Sequence, residues 1–138
     1  METQVPLILV VENDLMFAIR IESVLKKLGY RVKTFGDASR AVEFATEQTL
    51  FLSIVSMGRE KLAPLEVIAR LKALPNPAPV LGFLSHTLIP EVRDRAKAAG
   101  CDLLVPNSSV VTRLPLLIER FKAKAGKALE FEALEEEE

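Results

Sequence analysis

The residues able to do chemistry stand at the ends of short apolar runs. Glu12, Asn13 and Asp14 follow Leu7 to Val11, and Ser56 and Met57 follow Phe51 to Val55. Leu84, Ser85 and His86 end the run from Val80, and Pro106 and Asn107 follow Leu103 to Val105. A serine and a histidine at neighbouring run ends are the raw material of nucleophilic hydrolysis, in which the imidazole takes the hydroxyl proton. Ile54-Val55-Ser56-Met57-Gly58 lacks the first glycine of a nucleophile elbow, however, and no acid is assigned to orient His86. An uncharacterised hydrolase therefore ranks below the readings that follow. Phosphate-cradling loops need closely spaced glycines after the first strand, and Gly29, Gly36, Gly58, Gly82, Gly100 and Gly126 put none there. Glu12 and Asp14 would also repel a flavin phosphate. One cysteine and one histidine are too few for a structural metal site. Cys101, beside Gly100, is expected to be a small buried residue.

The elements that must position these residues alternate in type. Leu7 to Val11 reads as a strand covered on both faces. Asn13 or Asp14 can cap a helix with Ile21, Val24, Leu25 and Leu28 inward, and Gly29 is its natural stop. Tyr30 to Phe35 alternates apolar with Arg31 and Lys33, as an edge strand does. Asp37 or Ser39 can start a second helix, with Ala38, Ala41, Val42 and Ala45 on one face. Phe51 to Val55 is a third strand, and Pro64 opens a third helix with Leu65, Ile68 and Leu71 inward. After the breaks at Pro75, Pro77 and Pro79 comes a fourth strand, Val80 to Leu84. Ile89, Val92, Ala96 and Ala99 mark a fourth helix that stops at Gly100. Leu103 to Val105 is the fifth strand, and Leu114, Leu117, Ile118, Phe121 and Ala125 mark the last helix, with Pro115 in its first turn. The pattern predicts an α/β fold: a three-layer (βα)5 doubly wound parallel sheet of flavodoxin-like order 2-1-3-4-5. In such sheets a site forms at the carboxyl ends of the strands, which is where the polar run ends lie.

With Leu7 to Asp14, Leu65 to Lys72 and Ala98 to Asp102 in place, residues 5 to 125 resemble the receiver domain of bacterial response regulators. The resemblance implies a module that accepts a phosphoryl group from a histidine kinase onto an aspartate, with a divalent metal, and repacks one face to signal. It also implies where the active residues belong, and here they have changed. The acidic pair after the first strand is Glu12-Asn13, so the usual metal ligand brings no charge. The acceptor position is Ser56. The hydroxyl position after the fourth strand is Leu84 or Ser85, the lysine position is Asn107, the switch aromatic is Leu104, and the usual cis-proline is Ser108. Magnesium favours carboxylate oxygens, a serine hydroxyl is a weak nucleophile without a base, and no lysine neutralises phosphate. The expectation is a degenerate pseudo-receiver whose pocket remnant is Glu12, Asn13, Ser56, Leu84, Ser85 and Asn107. No catalytic residue or cofactor is assigned, and magnesium binding is expected to be weak or absent.

Composition sets the remaining bounds. Of 138 residues, 49% are hydrophobic and 27% charged, as in a globular chain. No apolar run approaches the ~20 residues that cross a bilayer. No secretory pattern opens the sequence, and a lone cysteine fits a reducing compartment, so a cytoplasmic location is expected. Six of the 19 acidic residues lie beyond Leu129, which leaves 13 against 18 basic residues before it, a body of +5. That balance is too mild for a nucleic-acid footprint. The expected organisation is a receiver-like domain over 1–125 and an acidic tail over 126–138. The tail reads either as a solvated terminus or as a segment folding back on basic residues of the last helix, and Leu129 to Leu134 could begin another helix. In receivers the face of the fourth helix, fifth strand and fifth helix meets partners. Here it would carry Arg93, Arg95, Lys97, Leu104, Arg113, Arg120, Lys122 and Lys124, an ordinary solvated face or a dock for an acidic partner, a second copy or the chain's own tail. The leading functional reading is a stand-alone, phosphorylation-independent interaction module of two-component signalling, without enzymatic activity. The alternative is a receiver-like regulator switched by a small ligand or by modification of Ser56.

Overall fold

Leu7-Ile8-Leu9-Val10-Val11 offers no polar face to water, so it needs cover on both sides. It forms β1 (Leu7–Val11), with all five residues buried. The computed structural model describes residues 5–134. The glutamates of the tail at 135–138 lie outside the described residues. After β1 come α1 (Leu15–Lys27), β2 (Arg31–Phe35), α2 (Ala38–Glu47), β3 (Leu52–Ser56), α3 (Pro64–Lys72) and β4 (Val80–Leu84). Then follow α4 (Ile89–Ala99), β5 (Leu103–Pro106), α5 (Asn107–Thr112), α6 (Leu114–Ala123) and β6 (Glu132–Ala133). Of the two candidate caps before α1, Asp14 is used, its Oδ1 accepting the Phe17 N–H at 3.0 Å, and Asp37 caps α2 through the Arg40 N–H at 2.9 Å.

All strand pairs are parallel, and the sheet order is β2-β1-β3-β4-β5-β6. The doubly wound α/β class and the order of the first five strands are as the pattern predicts. Alternate residues of each strand feed two cores. Leu9, Val11, Val55 and Leu84 pack with α2, α3 and α4, whereas Ile8, Val10, Ile54 and Phe83 pack with α1, α5 and α6. Among the described residues no helix is long and apolar enough to cross a membrane.

Two parts of the C-terminal third differ from expectation. A short helix that the pattern did not mark, α5, precedes the last one: the chain breaks at Arg113 (φ −124°, ψ 13°) and restarts as α6 with Pro115 in its first turn, as expected. α6 ends at Ala123 and leaves Ala125 exposed outside it. The segment 129–134 forms no further helix but returns as a sixth strand, Leu103 pairing with Glu132 and Leu104 with Ala133. Its Phe131 and Ala133 pack on one core and its Leu129 and Leu134 on the other. Ala133 and Leu134 thus face opposite cores, as successive residues along a strand do.

At the opposite end of the sheet from the polar run ends, Asp102 pins the layers together. Its Oδ2 accepts the Lys72 Nζ at 2.9 Å and the Val80 N–H at 2.8 Å. Gly100 closes α4 at φ +109°, and a Cβ there would lie 2.8 Å from Lys72 Cγ. Gly100→Ala is expected to cost about 1–2 kcal/mol for the left-handed backbone alone, read as a lower urea midpoint at unchanged slope.

Candidate functional site

Parallel register brings the polar run ends to one rim. Val11 pairs with Val55, so Glu12 and Ser56 follow side by side; Ser56 pairs with Phe83, and Leu84 with Pro106. Glu12 and Ser56 are buried, at 3% and 4% exposure. Ser85 is half-buried, with its Oγ 3.0 Å from Thr87 Oγ1, and Asn107 is half-buried at the start of α5. Leu84 is withdrawn into the core beside α3 and α4. Its side chain therefore lines no polar pocket, and of the two alternatives at this tip only Ser85 presents a hydroxyl. Asn13 is exposed. His86 is exposed on a short 3-10 turn (His86–Leu88), whereas Ser56 is buried.

The centre of the rim is an ion cluster that includes a residue not singled out in the sequence. Glu12 Oε2 accepts the backbone N–H groups of Asn13 at 2.9 Å and Asp14 at 3.2 Å. Arg59, from the loop after β3, lays its guanidinium across both carboxylates, with Nη2 2.8 Å from Asp14 Oδ2 and Nε 3.6 Å from Glu12 Oε2. The first contact is a charge-assisted hydrogen bond, and the second is ionic but too long for one. Arg59 is held by the fold of its loop. The turn Glu60–Leu62 buries Leu62, Leu62 N–H returns to Arg59 O at 3.0 Å, and Ala63 takes a left-handed φ of +46° that turns the chain into α3. A left-handed alanine is strained, and such strain persists only where the surroundings over-determine it. The available signal was a cation three positions after Ser56; exposed loop arginines are ordinary, and only strand register shows that this one reaches Glu12 and Asp14.

Both oxygens of Asp14 are engaged. The Phe17 N–H is the main cause holding its carboxyl below the usual range, and the charge of Arg59 adds to it against the opposing cost of desolvation. A carboxyl with a lowered folded-state pKa stabilises above its ordinary pKa, and that stability is lost as pH falls through the lowered value. Acid is therefore expected to fray the first turn of α1. Asp14→Asn keeps the cap without titrating, so it should flatten the acid dependence of the Phe17 amide shift while leaving α1 intact at neutral pH.

Of the residues proposed for a partner face, Leu104 is fully buried beneath β6 and its carbonyl accepts the Leu134 N–H at 2.8 Å. Arg120 Nη2 pairs with Glu132 Oε1, so the fold-back reading describes this part of the tail. Lys122 lies 3.9 Å from Glu119 Oε2, and Lys124 is exposed. Arg93, Arg95 and Lys97 lie on α4 and are exposed, and Arg113, at the helix break, is half-buried. Cys101 is buried, its thiol pushed up to about 12 chiefly by burial, and its Sγ donates to Leu103 O at 3.3 Å. Among the described residues no group of three His, Cys, Asp or Glu side chains is placed to hold a metal ion.

No protein-family model and no curated protein matches the chain. Solved structures do. The receiver domain of the sensor histidine kinase PA1611 from Pseudomonas aeruginosa PAO1, which holds magnesium in its active-site cleft, superposes with a TM-score of 0.75 at 22% identity over 87% of this chain and 99% of its own. The receiver domain of a signal transduction histidine kinase from Syntrophus aciditrophicus gives 0.75 at 19% identity over 92% and 97%. The chemotaxis response regulator CheY4 of Vibrio cholerae gives 0.70 at 18% over 83% and 99%. The chain has the receiver-domain fold of two-component response regulators.

Proposed function

We propose that this chain is a receiver-like interaction module of two-component signalling whose pocket is held in one state by a built-in cation instead of being switched by aspartyl phosphate. What carries the reading is Arg59, bridging Asp14 and Glu12 at the strand tips. The residues do not fit magnesium. A divalent ion of this kind wants octahedral oxygen ligands, but Glu12 Oε2 is taken by two backbone N–H groups with a guanidinium beside it, and both oxygens of Asp14 are engaged. Asn13 and Ser56 bring no charge, and Asn107 stands where a receiver's phosphate-binding lysine would. Ser56, at 4% exposure, is also poorly placed for modification, which favours this reading over a switch at that hydroxyl.

The module is proposed to act through the face formed by α4, β5 and the C-terminal helices, with Arg93, Arg95, Lys97, Arg113, Arg120, Lys122 and Lys124 supplying a cationic surface for an acidic partner. No enzymatic step is assigned. The test adds magnesium with acetyl phosphate or beryllium fluoride while backbone amide shifts and intact mass are followed. Unmoved shifts at Glu12, Ser56 and Asn107, with unchanged mass, are expected. A phosphoryl adduct, or saturable magnesium-dependent shifts at those amides, would overturn the reading.

A further inference from the structure

We infer that the edge of β5 is a strand-addition site, filled in the isolated chain by its own residues 129–134, and that the partner it takes is an extended segment of another protein with the same chemistry: a carboxylate flanked by apolar residues. The inference deepens the proposed function and rests on it for the choice of face. An edge strand exposes unpaired N–H and C=O groups that template another strand. Here the Asp102 and Leu104 carbonyls are met by the N–H groups of Glu132 and Leu134 at 3.1 and 2.8 Å. The flanking side chains are met as well. Phe131 and Ala133 pack on the core beside α4, Leu129 and Leu134 pack on the core beside α6, and Glu132 pairs with Arg120. The self-segment thus displays what the edge recognises: parallel direction, apolar side chains on both faces, and one acid opposite Arg120.

The same segment is built to leave. Its ladder is two residues long, whereas β1 and β2 pair over five. The stretch from Lys122 to Ala128 that ties it to α6 is exposed throughout and turns at Gly126 with φ +80°. Beneath that connection lies a cavity of about 500 Å³ lined by Phe51, Pro77, Asp102, Phe121, Gly126 and Leu129, so the connection itself buries little. A tethered occupant of this kind competes with an outside segment through its effective concentration, in the millimolar range for short flexible tethers. The face is therefore closed to weak partners and opens to one that binds the edge better.

The test uses full-length chains and a fluorescently labelled peptide of residues 128–134. Glu132→Pro with Leu134→Pro removes both ladder donors, and Glu132→Lys, a milder change, sets the segment against Arg120 while leaving the recipient edge intact. The peptide is expected to bind either opened chain at least tenfold more tightly than the natural chain, moving the amides of Leu103 to Val105. A peptide with lysine in place of its Glu132 equivalent should bind the opened chains at least tenfold more weakly. Equal affinity for opened and natural chains, or shifts away from β5, would overturn the inference. So would a concentration-dependent dimer of the natural chain that the peptide dissolves, because it would make a second copy the occupant. The measurement uses no magnesium or phosphoryl donor, so it can fail while the locked pocket stands, and the pocket reading can fail while this site stands.

Discussion

Removing Arg59 is expected to decide whether the strand tips can hold a divalent ion. Carboxylates at 13 and 56 with a lysine at 107 (N13D, S56D and N107K together) restore the metal-binding acids and the phosphate-neutralising cation of a receiver pocket, but leave a guanidinium lying across Glu12 and Asp14. Adding Arg59→Ala to those changes should tighten magnesium binding about fifteenfold. The estimate follows from the repulsion of a divalent ion by a unit charge ~5 Å away, about 1.7 kcal/mol at a dielectric near that of water. The high dielectric is appropriate because the Arg59 side chain is 44% exposed. Magnesium titrations monitored by amide shifts at residues 12, 13 and 56 measure the difference. Equal affinities with and without Arg59 would show that the arginine is a bystander.

Phe83→Ala should produce the largest loss of stability. Phe83 is 1% exposed, pairs with Ser56 in the sheet and stacks on Phe17 at a centroid distance of 5.2 Å. Truncating a buried phenylalanine costs about 3–5 kcal/mol, a large part of the ~5–15 kcal/mol that holds a domain together. Phe17→Ala, removing a half-buried partner, should cost less, and the double variant should fall short of the sum because the rings are in contact. Urea denaturation of the three variants checks both statements. The loss would also reach the strand tips, since the Phe17 N–H donates to Asp14, the acid that Arg59 grips.

Much of the fold was legible because it follows from one-dimensional pattern. Apolar runs without a polar face had to be central strands, Arg31 and Lys33 marked β2 as an edge, and Pro115 had to fall in a first turn. Where two cap residues competed, Asp14 over Asn13 and Asp37 over Ser39, the choice depended on backbone direction and was settled only in three dimensions. Leu84 and Ser85 were similarly undecided until register with Pro106 showed which of them turns into the core.

The candidate site was legible only in part. Glu12, Ser56 and Asn107 were placed by strand ends, which spacing reveals. Arg59 was not, because its role depends on a loop conformation that includes a left-handed Ala63, and neither charge nor periodicity encodes that. The segment 129–134 was misleading for a related reason. Alternating glutamate and apolar residues in an acidic stretch fit a solvated tail or a helix as well as a strand. What decides for a strand is an uncovered sheet edge elsewhere in the fold.

The sixth strand has a consequence for how copies of this molecule meet one another. A parallel sheet has two rims, and an open rim invites lateral growth into ribbons. On one rim β2 points Arg31 and Lys33 outward, a pair of like charges that a second β2 would have to face. On the other flank residues 129–134 lie along β5, and the edge left open is β6, whose ladder is only two residues long. Cation-guarded on one flank and cut short on the other, the sheet offers a second copy little backbone to pair with.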